Sequence, residues 1–204
     1  MDDKCQDGLL KRLDQFKKSS SFACWDKGNI SGKEWLKTIE HNYNPNYIFV
    51  GLNPSRNKAS DPDSDWMSFH DDGPKSKDEV LCHALTGTEY ERAFLTDLYY
   101  DVYEPDSNNV LNKRKQTDED YFRCLFNARR MLGGQAVIVA MHSLVFKRLT
   151  SKTILKGIND ADLLNEISSV PIKHITHYSF RYVNKETYRA MALIQLGNHI
   201  IVPK

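Results

Sequence analysis

The chain has few of the features that mark secreted, membrane-spanning or metal-rich proteins. Its four cysteines, Cys5, Cys24, Cys82 and Cys124, are scattered, whereas disulfide frameworks, zinc sites and iron–sulfur clusters need closely spaced cysteines. No stretch approaches the roughly 18 apolar residues that span a membrane, and no apolar segment follows the acidic start Met1-Asp2-Asp3-Lys4. We therefore expect reduced thiols, a cytoplasmic location, no membrane contact, no metal and no cofactor.

The chain also has no large excess of positive or negative charge. The chain has 28 basic and 27 acidic residues, which gives a formal net charge of +1. Duplex DNA is bound largely through neutralisation of its phosphates, so near-neutrality argues against strong DNA binding unless local basic groups supply the contacts. Most of these groups are typical of solvated helix faces; they are Lys11-Arg12 with Lys17-Lys18, Lys113-Arg114-Lys115, Arg129-Arg130, Lys147-Arg148 and Arg181.

The length of 204 residues and the apolar content of 40% are enough for one well-buried domain. No internal repeat, low-complexity tract or linker divides the sequence. We expect a monomeric single domain over residues 1–204, with N-terminal helices in residues 1–42 and an α/β core in residues 43–204.

Four apolar runs, at residues 47–50, 93–98, 136–141 and 172–176, each end in polar residues. Uninterrupted apolar runs are typical of strands buried on both faces of a parallel sheet. Helical patterns separate them, which implies right-handed crossovers. The sequence therefore predicts a three-layer α/β/α domain with a central, mostly parallel four-stranded sheet, to which residues 200–202 can add an edge strand.

Several helix boundaries are also readable. Apolar spacing predicts one amphipathic helix over residues 8–18, ended by Ser19-Ser20-Ser21. Capping boxes at residues 31–34 and 76–79 predict two further helix starts. Thr117 and Asn184 are predicted to cap two later helices.

Polar residues lie at the ends of all four predicted strands. Gly51-Leu52-Asn53-Pro54-Ser55 follows the first, Asp97 lies at the end of the second, His142 follows the third, and His177-Tyr178-Ser179 follows the fourth. In open parallel sheets, ligands bind at the carboxyl ends of the strands. Glycine allows close backbone approach there and proline fixes the chain. We expect these polar residues to converge on one pocket.

The first and the last of these polar segments resemble motifs of a known family. Gly51-Leu52-Asn53-Pro54-Ser55 resembles the Gly-x-Asn-Pro-Gly first motif of the uracil-DNA glycosylase superfamily, in its mismatch-specific thymine/uracil and single-strand-selective branches. His177-Tyr178-Ser179 resembles the superfamily's second motif, His-Pro-Ser. The resemblance covers residues 43–197 and departs from the pattern at Ser55, where that branch has glycine, and at Tyr178, where proline is usual.

The resemblance implies a DNA glycosylase-like hydrolase that removes uracil or another damaged or deaminated base in base excision repair. Its partner would be single- or double-stranded DNA, and it would cleave an N-glycosidic bond. By resemblance, Asn53 positions the attacking water and His177 donates a hydrogen bond to the leaving base. Gly51, Leu52 and Pro54 are expected to line the pocket. An Asn can only orient water, since its amide is not a general base.

Further binding candidates come from the loops. Phe69 is the first candidate for stacking on a flipped base and Trp66 the second, although packing the loop onto the sheet would explain either aromatic equally well. Ser55 and Ser179 suit phosphate contacts, and Arg181 can enter the base stack or pair with a phosphate. Turn residues and a solvated charge are the alternative interpretations.

Asp97 stands near the position where superfamily members often carry a base-reading Asn. An ionised carboxylate only accepts hydrogen bonds, which leaves three alternatives. Burial raises its pKa so that it donates, or the preferred base has a donor at that edge, or Asp97 is a structural cap that points away. His142 is interpreted as a structural histidine. A metal role for His70 beside Asp71-Asp72 is disfavoured because neighbouring loop residues cannot all face one ion.

Two other functions compete with a glycosylase. One is a non-catalytic nucleic-acid or nucleotide-binding module that kept the pocket, favoured by Tyr178, the low net charge and the acidic run 61–72. The other is a hydrolase or transferase of free nucleosides, which would suit the weak basicity. Fold alone cannot separate these functions.

Overall fold

A five-stranded mixed sheet forms the centre of the structure, a computed structural model that describes residues 8–54, 65–73, 76–179 and 184–197. The strands are β1 (Ser20–Phe22), β2 (Asn44–Gly51), β3 (Ala93–Asp97), β4 (Val137–Ala140) and β5 (Ile172–His174). The helices within the described residues are α1 (Leu9–Arg12), α2 (Leu36–Asn42), α3 (Asp78–Leu85), α4 (Val110–Lys113), α5 (Asp118–Met131), α6 (Ser143–Thr150), α7 (Lys152–Leu155), α8 (Ala161–Ser169) and α9 (Lys185–Leu196). A 3-10 turn, Asp14–Phe16, follows α1.

The strand order is β1-β3-β2-β4-β5. The pairs β2–β3, β2–β4 and β4–β5 are parallel, and β1 pairs with β3 in the antiparallel sense. The α/β class predicted from the sequence is confirmed. The predicted count of four strands omitted β1, the short antiparallel strand at one edge of the sheet.

Both faces of the sheet are covered, which explains the uninterrupted apolar runs of β2 to β4. Successive strand residues point to opposite faces, so Ile48 and Val50 join one apolar cluster while Phe49 joins the other. The first cluster includes α5 residues such as Phe122, and the second includes Leu81 of α3 with residues of α9. The carboxyl ends of the strands are thereby left as the open edge between the helical layers.

The N-terminal region departs from the sequence-based expectation. The single helix predicted over residues 8–18 is broken into α1 and the 3-10 turn. Of the three serines expected to end it, Ser20 and Ser21 lie in β1, where the Ser20 hydroxyl donates to Thr96 Oγ1 at 2.8 Å. Pairing with β3 satisfies the buried Ser20 hydroxyl, and its partner lies 76 positions away.

Two of the four predicted helix caps are confirmed, whereas the capping box predicted at residues 76–79 does not form, since α3 starts after Lys77 with no side-chain cap. Thr117 and Asp120 form a reciprocal capping box at the start of α5. Asn184 accepts from the Thr187 N–H at the start of α9, which ends at the left-handed Gly197. The capping box predicted at residues 31–34 was wrong, because the Asp26 carboxylate accepts the backbone N–H groups of residues 34 and 35 there.

Two further findings concern expectations made from sequence. Within the described ranges, no helix combines the length and apolar character needed to cross a membrane. The edge strand suggested at residues 200–202 lies outside the described residues.

Candidate active site

The strand register brings the predicted site segments to one edge of the sheet. Gly51 is opposite Asp97, Val50 is opposite Ala140, and Ala140 is opposite His174. The ladder continues past β2, since the backbone N–H of residue 98 donates to Gly51 O at 3.0 Å. The residues that directly follow these strands therefore lie along the same carboxyl edge.

Gly51 is where the backbone and two side chains approach most closely. A Cβ at this position would lie 2.3 Å from Asp97 Oδ1 and 3.4 Å from Phe69 Cζ. The first distance is shorter than any van der Waals contact, so no other residue fits without moving the carboxylate. Gly51, Phe69 and Asp97 therefore share one wall of the site.

Phe69 is held in a strained backbone conformation beside that wall. Its φ is 67°, in the left-handed region, and its side chain is 8% exposed. The Trp25 indole N–H donates to Phe69 O at 3.1 Å, which helps to hold the segment. Such strain costs on the order of 1 kcal/mol or more and concentrates at functional sites. Trp66, the other aromatic candidate, belongs to the first apolar cluster, where its ring centroid lies 6.0 Å from that of Phe22.

Asn53 has its amide orientation fixed by three carbonyl oxygens. Its Nδ2 donates to Pro54 O at 3.1 Å, Val102 O at 2.9 Å and Glu104 O at 2.7 Å. Only the nitrogen end of a carboxamide can face carbonyl oxygens favourably. Oδ1 is therefore turned away from them, and in the described part of the chain nothing donates a hydrogen bond to it. The arrangement suits an oxygen that accepts from a ligand or a water.

His177 is held as one neutral tautomer. Its Nδ1 accepts from the Ser179 backbone N–H at 3.2 Å, and Ser179 Oγ lies 2.7 Å from the same nitrogen. Burial, and then nearby His142, lower the pKa of His177 to about 4. At neutral pH the ring is therefore uncharged, with its proton on Nε2.

His142 caps a helix at the neighbouring strand end. Its Nδ1 accepts the Leu144 N–H at 3.1 Å, at the start of α6. Burial, and then the charge of His174, lower the pKa of His142. Its ring centroid lies 6.0 Å from that of His177, with an interplanar angle of 68°.

Tyr178, at the position where the resembled motif has proline, links three segments. Its ring stacks on His177 with centroids 4.4 Å apart, and its hydroxyl donates to Asp78 Oδ1 at 3.0 Å. Asp78 Oδ2 accepts the Asp71 N–H at 2.9 Å. Burial, and then the charges of Asp78 and Asp97, raise the pKa of Tyr178 well above its usual value.

Sequence analysis missed Asp78 as part of this site. Its place within the predicted capping box at residues 76–79 suggested a purely local role, whereas its side chain joins the loop before α3 to the second motif. Asp78 is 7% exposed, so it is a buried acid among polar partners. A buried carboxylate with distant partners has no signature in the local sequence.

The remaining predicted site residues differ in how exposed they are. Leu52 is 5% exposed and belongs to the core cluster, and Pro54 is also buried. Ser179 is exposed and contacts His177. Ser55 and Arg181 lie outside the described residues.

His70 is built into the structure rather than into a metal site. Its ring nitrogens lie 3.1 Å from Ile30 O and 3.2 Å from Phe22 O, and its ring contacts those of Trp25 and Trp35. Burial lowers its pKa to about 4, against the opposing effect of the two carbonyls. In the ranges that the structure describes, no three His, Cys, Asp or Glu side chains are grouped so as to hold a metal ion.

Most of the basic groups singled out in the sequence have acidic partners. Lys17 Nζ lies 3.0 Å from Asp14 Oδ1 and 3.5 Å from Asp65 Oδ2. Further pairs are Lys18–Asp65, Lys113–Glu104, Arg114–Asp118, Arg129–Glu166, Arg130–Glu166 and Arg148–Asp118. These cations are partly neutralised within the chain, which weakens their attraction for phosphate.

Comparisons with known proteins add no relative: no family model matches the chain, and neither does any curated protein or solved structure.

Proposed function

We propose that this chain is an N-glycosidic hydrolase of the DNA glycosylase type, on a fold of the uracil-DNA glycosylase kind. The observation that carries the proposal is the state of His177, a neutral imidazole whose Nδ1 is occupied and whose proton is on Nε2. It lies at the same sheet edge as the Gly51 to Pro54 segment. The parallel pairs β2–β3, β2–β4 and β4–β5 support the fold assignment.

The chemistry requires a donor that becomes more effective as the bond breaks. In N-glycosidic cleavage the sugar gains positive charge and the base leaves with negative charge. A neutral Nε2–H directed at a base oxygen stabilises that charge as it develops. His177 can do this at neutral pH without taking up a proton first.

Asn53 is suited to orienting the attacking water. Its amide nitrogen is engaged by three carbonyls, so its carbonyl oxygen is the part left to accept a hydrogen bond. Because an amide has no useful proton affinity at neutral pH, the water is positioned but not deprotonated. Slow turnover follows from this assignment.

The wall formed by Gly51, Phe69 and Asp97 supports a pocket for a flipped base. A base removed from the helix needs an aromatic face and polar groups at its edge. The strained Phe69 supplies the ring, and Asp97 lies across Gly51 at 7% exposure. Whether Asp97 reads a donor on the base, donates as a neutral acid or is only structural is decided by the Asp97→Asn variant described below.

A binding module without catalysis is the second candidate. Two observations favour the binding module: the Tyr178 hydroxyl is bonded to Asp78, and many basic side chains are paired with acidic side chains of the chain itself. A module of this kind would bind nucleic acid or a nucleotide at the same pocket and release no base. DNA binding in either case is expected to be weak and to fall steeply with salt.

Labelled oligonucleotides that carry uracil, hypoxanthine or a thymine mismatch test the proposal, in single- and double-stranded form, with alkaline cleavage as the readout. Asn53→Ala and His177→Ala are each expected to lower base release by roughly 100-fold while the fold is retained. His41→Ala, at an exposed histidine of α2, is the matched control. Wild-type rates in both site variants would exclude these roles, and binding without cleavage would favour the module.

A further inference from the structure

His142 and His177 form a pair of histidines at adjacent strand ends. His142 follows β4 and His177 lies three residues beyond β5, and β4 and β5 are paired in parallel. Their ring centroids are 6.0 Å apart at an angle of 68°. The resemblance assigned a role only to His177.

Backbone groups fix the tautomer of both rings in the same way. The Leu144 N–H donates to His142 Nδ1 at 3.1 Å, and the Ser179 N–H donates to His177 Nδ1 at 3.2 Å. A nitrogen that accepts a hydrogen bond carries no proton, so each neutral ring bears its proton on Nε2. The helix cap accounts for the hydrogen bond at Nδ1 of His142 but does not involve Nε2.

Neither Nε2 has a hydrogen-bond partner among the residues that the structure describes, and both side chains are partly exposed. Both donors therefore lie at the same sheet edge and are available to a ligand. Both rings are kept neutral at physiological pH, because burial and neighbouring histidines lower their pKa values.

The separation of the rings allows one ligand oxygen to accept from both. N–H···O bonds are about 2.9 Å long, so one oxygen can serve two nitrogens up to roughly 6 Å apart. The ring centroids, 6.0 Å apart, bring the two Nε2 atoms within that reach when both N–H bonds point into the space between the rings. An oxygen has two lone pairs for the two donors, whereas a ring nitrogen acceptor has one.

We propose that His142 is a second catalytic donor, and that its Nε2–H and that of His177 hold the same carbonyl oxygen of the leaving base. This inference rests on the proposed function and narrows its substrate class to bases with an oxygen next to the glycosidic nitrogen. Pyrimidines with a 2-oxo group fit this pattern, and adenine, which has no oxygen, does not.

The reaction balances without any further reagent. The C1′–N bond breaks and its electron pair stays with the base, where the negative charge is shared with the oxygen held by the two histidines. The water oxygen bonds to C1′ and releases its proton to solvent, and the base takes up a proton after it leaves. Neither histidine changes its protonation state.

The variant His142→Asn separates the donor from the cap. An Asn side chain accepts well at an N-cap position, so α6 is retained, but its shorter side chain does not reach where Nε2 of His142 lies. Removal of one oxyanion donor typically costs 100-fold or more in rate. We expect single-turnover base release from a uracil oligonucleotide to fall roughly 100-fold, with the main change in the rate constant at saturating enzyme and little change in substrate affinity. His41→Asn, at the exposed histidine of α2, is the control.

A titration that needs no turnover distinguishes this inference from the proposed function. In protein labelled with ¹⁵N-histidine, free uracil is expected to shift the Nε2–H signals of His142 and His177 together, with one saturation curve, and adenine is expected to shift neither. A proton on Nδ1 of His142 or a shift of His177 alone would each overturn the donor pair. Joint shifts in a protein that releases no base from any oligonucleotide would support the pair and refute the hydrolase.

Discussion

The hydrogen bond from Tyr178 to Asp78 gives a prediction whose size follows from the structure. Tyr178→Phe keeps the ring that stacks on His177 and removes only the hydroxyl, which lies 3.0 Å from Asp78 Oδ1. Asp78 is 7% exposed, so solvent compensates poorly for the lost bond. Hydrogen bonds to charged groups contribute about 1.5–3 kcal/mol to stability. We expect the free energy of unfolding to fall by that amount.

Urea unfolding followed by tryptophan fluorescence measures this change, with a lower midpoint and an unchanged slope. In a chain of this length each kcal/mol shifts Tm by roughly 2–4 °C, so a drop of roughly 3–12 °C is expected.

Tyr47→Phe is the matched control. It removes the same kind of bond, from Tyr47 Oη to Glu89 Oε2 at 2.9 Å, at an exposed position. Because water replaces such surface bonds, its effect should stay within about 0.5 kcal/mol. Equal destabilisation by the two variants, or no effect of Tyr178→Phe, would refute the argument that the buried acid makes this bond valuable.

Three further predictions concern the same edge of the sheet and the loop that carries Phe69. Gly51→Ala places a Cβ 2.3 Å from Asp97 Oδ1, so base release is expected to fall at least tenfold and stability by about 1–3 kcal/mol, and a neutral substitution would contradict the close approach. Asp97→Asn is expected to shift preference towards uracil in the oligonucleotide assay if the carboxylate reads the base, and unchanged selectivity would remove it from base reading. The pKa of His70 is about 4 in the folded protein, against 6.5 for an ordinary histidine, so the unfolded chain binds more protons between those two pH values. The stability that comes from the neutral His70 ring is therefore complete above pH 6.5 and is lost as pH falls towards 4, by about 3 kcal/mol. Urea titrations of wild type and His70→Gln test this, and stability that rises towards low pH would show an imidazolium held by the two carbonyls.

The sequence by itself determined the features that depend on near neighbours. Apolar runs located β2, β3 and β4, β5 lies in the weaker predicted segment 172–176, and the caps at Thr117 and Asn184 start their helices as predicted. These signals are local, because a buried strand is recognised from consecutive apolar residues and a cap joins residues three positions apart. The α/β class and the polar residues after each strand followed from them.

Only the tertiary structure decided which of those residues act together. The bond between Tyr178 and Asp78 joins positions 100 apart, and β1 forms only because β3 offers it an edge. The tautomer of His142 depends on a cap, but its place beside His177 depends on the packing of β4 against β5. Local sequence carries no record of such pairings, since their free energy arises from contacts that exist only once the chain has folded.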